Sequence, residues 1–192
     1  MAKEAIIVAG PNGSGKTTFA HGLVKELDSA YLSADAIAAA LDPENPTRAR
    51  LTAGREFFRQ QEELTRRGAN LVLETTLSGL GARGTFDLLH RQGYVVTLAF
   101  IFLDTPEMCI QRVRERVWKG GHDVPPEDVV RRFHRSKVNF WGVYRELADH
   151  WHLFHNSGES FQEIAAGQRH EFAVSDEVLF RLFLKDLPET RR

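Results

Sequence analysis

Short apolar runs alternate along the chain with longer segments whose apolar residues recur at helical spacing, which indicates strands and amphipathic helices in turn. The predicted strands cover residues 4–9, 30–32, 70–74, 94–103 and 151–154, with a weaker one near 161–165. The predicted helices cover residues 17–27, 33–41, 47–67, 85–91, 106–119, 127–148 and 175–185. This alternation predicts an α/β fold with three αβα layers and a central, mostly parallel five-stranded sheet. We expect residues 1–192 to form a single domain.

A glycine-rich loop joins the first predicted strand to the first predicted helix. Residues 10–17 match the phosphate-loop pattern G-x-x-x-x-G-K-[ST]. In such a loop, backbone amides surround a polyphosphate, the lysine reaches the terminal phosphates and the last hydroxyl binds magnesium. We therefore predict that ATP and Mg²⁺ bind here, with Thr17 as metal ligand and Lys16 also catalytic. The predicted nucleotide-binding residues of this segment are Gly10, Pro11, Asn12, Gly13, Ser14, Gly15, Lys16, Thr17 and Thr18.

Two classes of P-loop protein compete for this sequence. Residues 77–81 resemble the signature of ABC-type ATPases, and residues 98–104 resemble their Walker B strand. The signature lacks its second adjacent glycine and its glutamine, however, and Thr105 stands where an acid should polarise the attacking water. We therefore favour a small-molecule kinase with a mobile lid. A nucleotide-dependent ATPase or switch acting on a protein partner is the alternative.

Several blocks, taken together, resemble the zeta-toxin-like kinase family, especially its chromosomal branch once labelled "predicted ABC-type ATPases". In chain order the blocks are residues 32–35, 73–79, 112–117, 120–125, 131–136 and 156–157. Better-studied members phosphorylate UDP-N-acetylglucosamine with ATP, so the resemblance implies a nucleotide sugar as the acceptor. It also implies an antitoxin protein as a partner, and a place for Asn156 in the adenine pocket.

Polar residues follow two of the predicted strands. Asp35 comes just after the second strand, where a kinase needs a carboxylate to orient the acceptor hydroxyl and accept its proton. The resemblance places the catalytic aspartate there, and the alternative is a helix N-cap. Glu74 ends an apolar strand, where a charge is costly unless it is paired. The resemblance implies that Glu74, Thr75 and Thr76 bind the substrate with Asp35; the alternative for Glu74 is a solvated acid.

Arginines are concentrated in a segment at about 112–136, which we predict to be the lid. Arg112 and Arg116 lie four residues apart and therefore share a helical face. Arg132 and Arg135 follow a glycine pair that could serve as a hinge. Because arginine binds phosphate oxygens bidentately, we predict that Arg116 and Arg132 are catalytic and that Arg112 and Arg135 contact the nucleotide. The alternative is a solvated basic helix surface.

Composition restricts the partners. The chain has 25 Lys and Arg against 26 Asp and Glu, so no overall basic field favours nucleic acid. A single cysteine, Cys109, excludes an intrachain disulfide and fits a reducing compartment. The N-terminal apolar run is too short for a signal peptide or a membrane span. We expect a cytoplasmic protein, without a nucleic-acid or membrane partner, that transfers a phosphoryl group from ATP to a hydroxyl of a small metabolite.

Overall fold

Seven strands form one sheet in the computed structural model, which describes residues 3–158, 160–169, 171–185 and 187–188. The strands are β1 (Lys3–Ala9), β2 (Ala30–Ser33), β3 (Leu71–Thr75), β4 (Tyr94–Phe102), β5 (His150–His155), β6 (Gln162–Gln168) and β7 (Glu171–Val174). Their spatial order is β2-β3-β1-β4-β5-β6-β7. The first five are parallel to one another, β6 is antiparallel to β5, and β7 is antiparallel to β6. The predicted mostly parallel α/β sheet is confirmed.

The predicted strand count of five was too low, because a hairpin extends the sheet beyond β5. The weak strand predicted near 161–165 is the longer β6, and β7 was not predicted at all. β7 has four residues at the sheet edge, three of them exposed, so its sequence carries little of the apolar pattern that marks a buried strand. In β7, Phe172 makes an edge contact with Trp141 and a tilted contact with Trp151, and Val174 packs against the main apolar cluster.

Eight α-helices cover the sheet in the described part of the chain. They are α1 (Lys16–Leu27), α2 (Ala34–Leu41), α3 (Pro46–Arg66), α4 (Arg83–Arg91), α5 (Pro106–Trp118), α6 (Pro126–Asn139), α7 (Arg145–Leu147) and α8 (Glu177–Leu184). The continuous helix predicted over 127–148 is wrong, since a π-helical turn, Phe140–Tyr144, separates α6 from α7. The wide turn coincides with two buried stacking contacts, Phe140 on Phe100 and Tyr144 on Phe86. Tertiary packing therefore decides the local helix type.

Helices pack on both faces of the sheet because neighbouring strand residues point in opposite directions. In β1, Ile7 lies in the cluster beneath α4 and α8, whereas Val8 lies in the cluster beneath α1. The second half of β4 is buried on both faces, as expected for a central parallel strand. These two apolar layers fix the sheet rigidly behind the ends of the strands.

The carboxyl ends of β1, β2 and β3 meet at one edge of the sheet. Glu74 pairs in register with Val8 on one side and with Ser33 on the other. The loop that follows β1, the helix that follows β2 and the end of β3 are therefore neighbours, where parallel α/β sheets bind ligands. No helix in the described residues is long and apolar enough to cross a membrane.

Candidate active site

The phosphate loop holds its shape through backbone conformations that favour glycine. Gly13 and Gly15 have φ angles of 79° and 95°. A Cβ on Gly13 would lie 2.6 Å from the main-chain oxygen of Cys109, and one on Gly15 would lie 2.5 Å from Asn156 Nδ2. The loop is therefore packed closely against α5 and the end of β5. This packing directs the amino end of α1, with its partial positive charge, toward the cavity in front of it.

Lys16 is almost fully buried at the start of α1, with 6% of its surface exposed. Its Nζ donates to the main-chain oxygen of Pro11 at 2.8 Å, so the ammonium lies across the loop. Burial lowers the pKa of Lys16 below its usual value, although the carboxylates of Glu74 and Asp35 act in the opposite direction. A buried cation with one neutral hydrogen-bond partner is well suited to bind the oxygens of a polyphosphate.

Glu74 joins the phosphate loop to β2. Thr17 Oγ1 donates to Glu74 Oε1 at 3.1 Å, and the Tyr31 hydroxyl donates to Glu74 Oε2 at 2.5 Å. Burial and the bond to Glu74 raise the pKa of Tyr31, so this phenol stays protonated as a donor. Because the Thr17 hydroxyl gives its only hydrogen to Glu74, its lone pairs are left for a cation. This donor set, a hydroxyl oxygen beside a carboxylate, fits the hard oxygen ligands that Mg²⁺ prefers.

Asp35 opens onto the cavity in front of the phosphate loop. This cavity has a volume of about 470 Å³ and is lined by Lys16, Thr17 and Asp35, among others. The sequence left open whether Asp35 caps α2, and in the structure Ser33 is the N-cap, with its Oγ accepting from the Ala36 amide at 3.3 Å. The Asp35 carboxylate is exposed within the first turn of α2. It is thus available to a bound molecule.

A second space, of about 240 Å³, adjoins the first and shares Lys16, Asp35 and Glu74 with it. Thr75 and Thr76, predicted to bind substrate, line this second space, and so does Ser78, which the sequence reasoning did not single out. We call it the acceptor cavity, after the substrate-binding role that the sequence predicts for Asp35, Glu74, Thr75 and Thr76; Gly13 and Gly15 of the phosphate loop line the larger cavity only.

The loop after β3 is anchored by the helical segment that contains the π turn. Asn139 Nδ2 donates to Leu77 O, and the Tyr144 hydroxyl donates to Gly79 O, both at 2.7 Å. Leu77 is buried and has a φ of 51°, an uncommon conformation for a leucine. Such a strained conformation persists only where the surrounding contacts hold it in place. The wall of the acceptor cavity is therefore held in place from behind.

Three of the four predicted lid arginines line the larger cavity: Arg112, Arg116 and Arg132. Arg132 Nη1 donates to Asn12 Oδ1 of the phosphate loop at 3.0 Å, and burial, together with a nearby arginine, lowers its pKa. Arg116 donates to His122 O at 2.5 Å, within the connection between α5 and α6. Arg135 lies one turn beyond Arg132 on α6, is exposed and lines neither cavity, so the structure does not bring it to the site.

Asn156 connects the end of β5 to the phosphate loop. Its Nδ2 donates to Ser14 O at 2.8 Å, while its own main-chain oxygen accepts from Arg112 at 2.7 Å. A Cβ on Gly15 would also lie 3.3 Å from the ring of Phe161, so Asn156 and Phe161 lie side by side behind the loop. Asn156 therefore supports the nucleotide-binding loop directly, in addition to the adenine contact that the family resemblance implies.

Arg50 is the main cationic residue that the sequence reasoning missed. It lies on α3 and lines both cavities, and the pKa of Arg132 is lowered by burial, by the charge of Arg50 and by the charge of Arg131. It has no hydrogen bond or ion pair with the other described residues. On sequence alone Arg50 reads as one of several exposed charges on an amphipathic helix, and only the docking of α3 beside β2 identifies it. Arg132 has an acidic partner only at 3.8 Å, Asp128 Oδ2, so these two close arginines indicate a place for an anion.

Fold and site together define a P-loop NTPase with a kinase-like architecture. A family model described as "AAA domain" (AAA_33) matches residues 6–137, which is more than half of the chain. The chain therefore belongs to this family.

Three known proteins are similar to this chain. An uncharacterised protein of Haemophilus influenzae is 30% identical over 131 residues, which cover 68% of this chain and 92% of the relative. A chain of the AvrRxo1-ORF1:ORF2 complex with ATP has a TM-score of 0.75 at 18% identity, and the matched region covers 94% of this chain and 63% of the AvrRxo1 chain. A chain of the PezAT chromosomal toxin–antitoxin system of Streptococcus pneumoniae has a TM-score of 0.66 at 20% identity, and the matched region covers 95% of this chain and 79% of the PezAT chain. This chain thus spans less than two thirds of the AvrRxo1 chain, and the two structures show likeness of fold alone.

Proposed function

We propose that the protein transfers the terminal phosphoryl group of ATP to a hydroxyl of a small metabolite, as zeta-toxin-like kinases do, with a nucleotide sugar such as UDP-N-acetylglucosamine as the first candidate acceptor. One observation carries the proposal. The Asp35 carboxylate is not used to cap α2 and opens onto the same cavity as Lys16. A base for the acceptor and a cation for the phosphates therefore face each other.

The chain's residues supply the chemistry in named roles. Asp35 accepts the proton of the acceptor hydroxyl while that oxygen bonds to the terminal phosphorus and the bond to the bridging oxygen of ADP breaks. Lys16, Arg116 and Arg132 hold the charge that develops on the phosphoryl oxygens. Thr17 would hold a magnesium ion, which supplies positive charge to the phosphates when it is bound.

The charge of the cavity favours an acceptor that is itself an anion. Five cationic side chains line the larger cavity, against the two carboxylates of Asp35 and Glu74. Magnesium-bound ATP carries about two net negative charges, which leaves the cations in excess. Arg50, on the acceptor side, is the side chain best placed to bind the remaining anion. A phosphate or a diphosphate group on the acceptor fits this arrangement.

The test is phosphorus NMR of the protein with ATP, magnesium and a panel of hydroxylated anions that includes nucleotide sugars. A new phosphomonoester signal that requires one acceptor is expected. Asp35→Asn should slow its appearance by about 10²–10⁴-fold without weakening ATP binding. The matched control is Asp87→Asn, since Asp87 is exposed on α4 and lines neither cavity. Full turnover by Asp35→Asn would remove Asp35 from the mechanism.

The alternative is a nucleotide-dependent ATPase or switch that acts on a protein partner. It predicts loss of ATP in the same experiment without any acceptor. An antitoxin-type partner belongs to the proposal as well, supported by the toxin–antitoxin system in which one structurally similar chain occurs. Co-purification with a protein encoded beside this chain, followed by inhibition of the phosphomonoester signal, would test it.

A further inference from the structure

An apolar slot of about 170 Å³ lies beside the acceptor cavity. Its walls come from α3 (Gly54, Phe57 and Phe58), from the sheet (Leu73) and from the start of α4 (Ala82 and Thr85). It shares Ala34, Glu74 and Thr75 with the acceptor cavity, so a molecule in one space can extend into the other. The mechanism described above makes no use of this slot.

Gly54 keeps the slot open. It is the only glycine in the 21 residues of α3. A Cβ placed on Gly54 would meet no atom within 4 Å, so packing does not require the missing side chain. Its backbone is helical, so the conformation does not require glycine either. A glycine in a helix interior lowers stability relative to alanine. The remaining physical consequence of this residue is the open space that it leaves in the slot wall.

The size and the lining of the slot suit a flat ring. An apolar cavity of about 150 Å³ is large enough to bind benzene. Phe57 is buried and Phe58 is half-exposed beside it, with ring centroids 5.6 Å apart, so aromatic faces and edges are available for stacking. At one end the Thr85 hydroxyl donates to Gln61 Oε1, which leaves its own lone pairs for a polar atom on the edge of the ring.

We propose that the slot binds a flat, largely apolar ring carried by the acceptor, so that the substrate is an anionic alcohol bearing an aromatic or heteroaromatic group. This inference rests on the proposed function, because it takes the acceptor cavity to hold the acceptor. The ring lies under Gly54, the anionic group lies at Arg50 and the hydroxyl faces Asp35. Ring burial then selects among acceptors that share the same hydroxyl and anion.

The test measures binding without catalysis. The protein is first loaded with Mg²⁺ and β,γ-imido-ATP, so that a phosphate-bearing probe reports on the acceptor side. Binding of 4-fluorophenyl phosphate is followed by fluorine NMR, and binding of methyl phosphate, which has the anion without the ring, by phosphorus NMR. Gly54→Ala, whose Cβ would meet no atom within 4 Å of the ligand-free protein, should fold normally and bind the aromatic probe more weakly than the wild type does. Gly54→Leu should bind it at least tenfold more weakly, with unchanged affinity for methyl phosphate.

Ala82→Leu, which fills the slot from the opposite wall, should repeat the loss and carries the test if Gly54→Leu does not fold. Equal binding of 4-fluorophenyl phosphate by the wild type and by folded filled-slot variants would overturn the slot proposal, even if phosphoryl transfer is observed. A selective loss of affinity for 4-fluorophenyl phosphate in these variants supports the slot proposal. If no acceptor is phosphorylated, the proposed function fails, but the slot proposal still stands on this binding result.

Discussion

The bond between Thr17 and Glu74 yields a quantitative prediction about magnesium. Glu74→Gln keeps the shape of the side chain and removes the charge that accepts from Thr17 at 3.1 Å and from Tyr31 at 2.5 Å. A hydrogen bond to a charged group contributes about 1.5–3 kcal/mol, and one between neutral groups about 0.5–1.5 kcal/mol. The difference is roughly 1–1.5 kcal/mol per bond. We therefore expect the free energy of unfolding to fall by about 1–3 kcal/mol, since reduced desolvation of the acid offsets part of the loss.

The same substitution should weaken the magnesium-dependent binding of ATP. If Glu74 fixes the Thr17 hydroxyl with its lone pairs free, losing about 1.4 kcal/mol of that interaction costs about tenfold in affinity. The assay is calorimetry of ATP binding at a series of Mg²⁺ concentrations, for wild type, Glu74→Gln, Thr17→Val and the double variant. The two substitutions should be strongly non-additive, because the second removes a hydroxyl that the first has already released.

Tyr31→Phe is the control for this cycle. It removes the other bond to Glu74, so it should lower stability but change the affinity for magnesium and ATP by less than about twofold, within the usual error of additivity. Two results would refute the reasoning. One is additive effects of the Thr17 and Glu74 substitutions. The other is a Glu74→Gln variant that binds ATP normally and loses affinity for the acceptor alone, as the sequence first suggested.

Three further substitutions, with Arg135→Lys as a control, test the phosphate loop and its neighbour on α6. Burial lowers the pKa of Lys16, so between that lowered pKa and the usual 10.5 the unfolded chain binds more protons than the folded chain does. The free energy of unfolding of the ligand-free protein should therefore rise with pH in this window. The affinity for ATP should fall over the same window, because Lys16 loses its charge. Lys16→Met should flatten both trends in denaturation and calorimetry. Gly15→Ala, with a φ of 95° and a Cβ 2.5 Å from Asn156 Nδ2, should cost about 2–3 kcal/mol in denaturant unfolding. Arg132→Lys should lower kcat by about 10²-fold or more, whereas Arg135→Lys should leave it unchanged.

The first five strands and the phosphate loop could be predicted from the sequence because their signals are local. The second half of β4 is buried on both faces, as a central parallel strand is, and residues 98–102 are accordingly all apolar. The loop needs glycines at fixed spacing: the motif requires Gly10 and Gly15, and both adopt positive φ angles, as does Gly13 at a variable position of the motif. The hairpin of β6 and β7 lacks such constraints, since its outer strand is exposed and needs no apolar pattern.

The candidate site was harder to predict wherever a side chain meets a partner distant in sequence. Glu74 reaches Thr17 across 57 positions through the register of β1 and β3, which residue spacing does not reveal. Arg50 and Arg135 both appear as charges on amphipathic helices, yet only Arg50 lines the cavities. The difference arises from how α3 and α6 dock, which depends on the packing of their apolar faces.

Main-chain carbonyls, rather than acids, restrain three of the cations at the cavity: Lys16, Arg112 and Arg116. A carbonyl has a dipole but no net charge, so each cation is ordered without being neutralised. An arriving polyphosphate exchanges these neutral partners for charged ones and separates no ion pair in doing so. The ligand-free protein thus already carries the positive field of the bound state, and much of the ordering of these long side chains precedes the nucleotide.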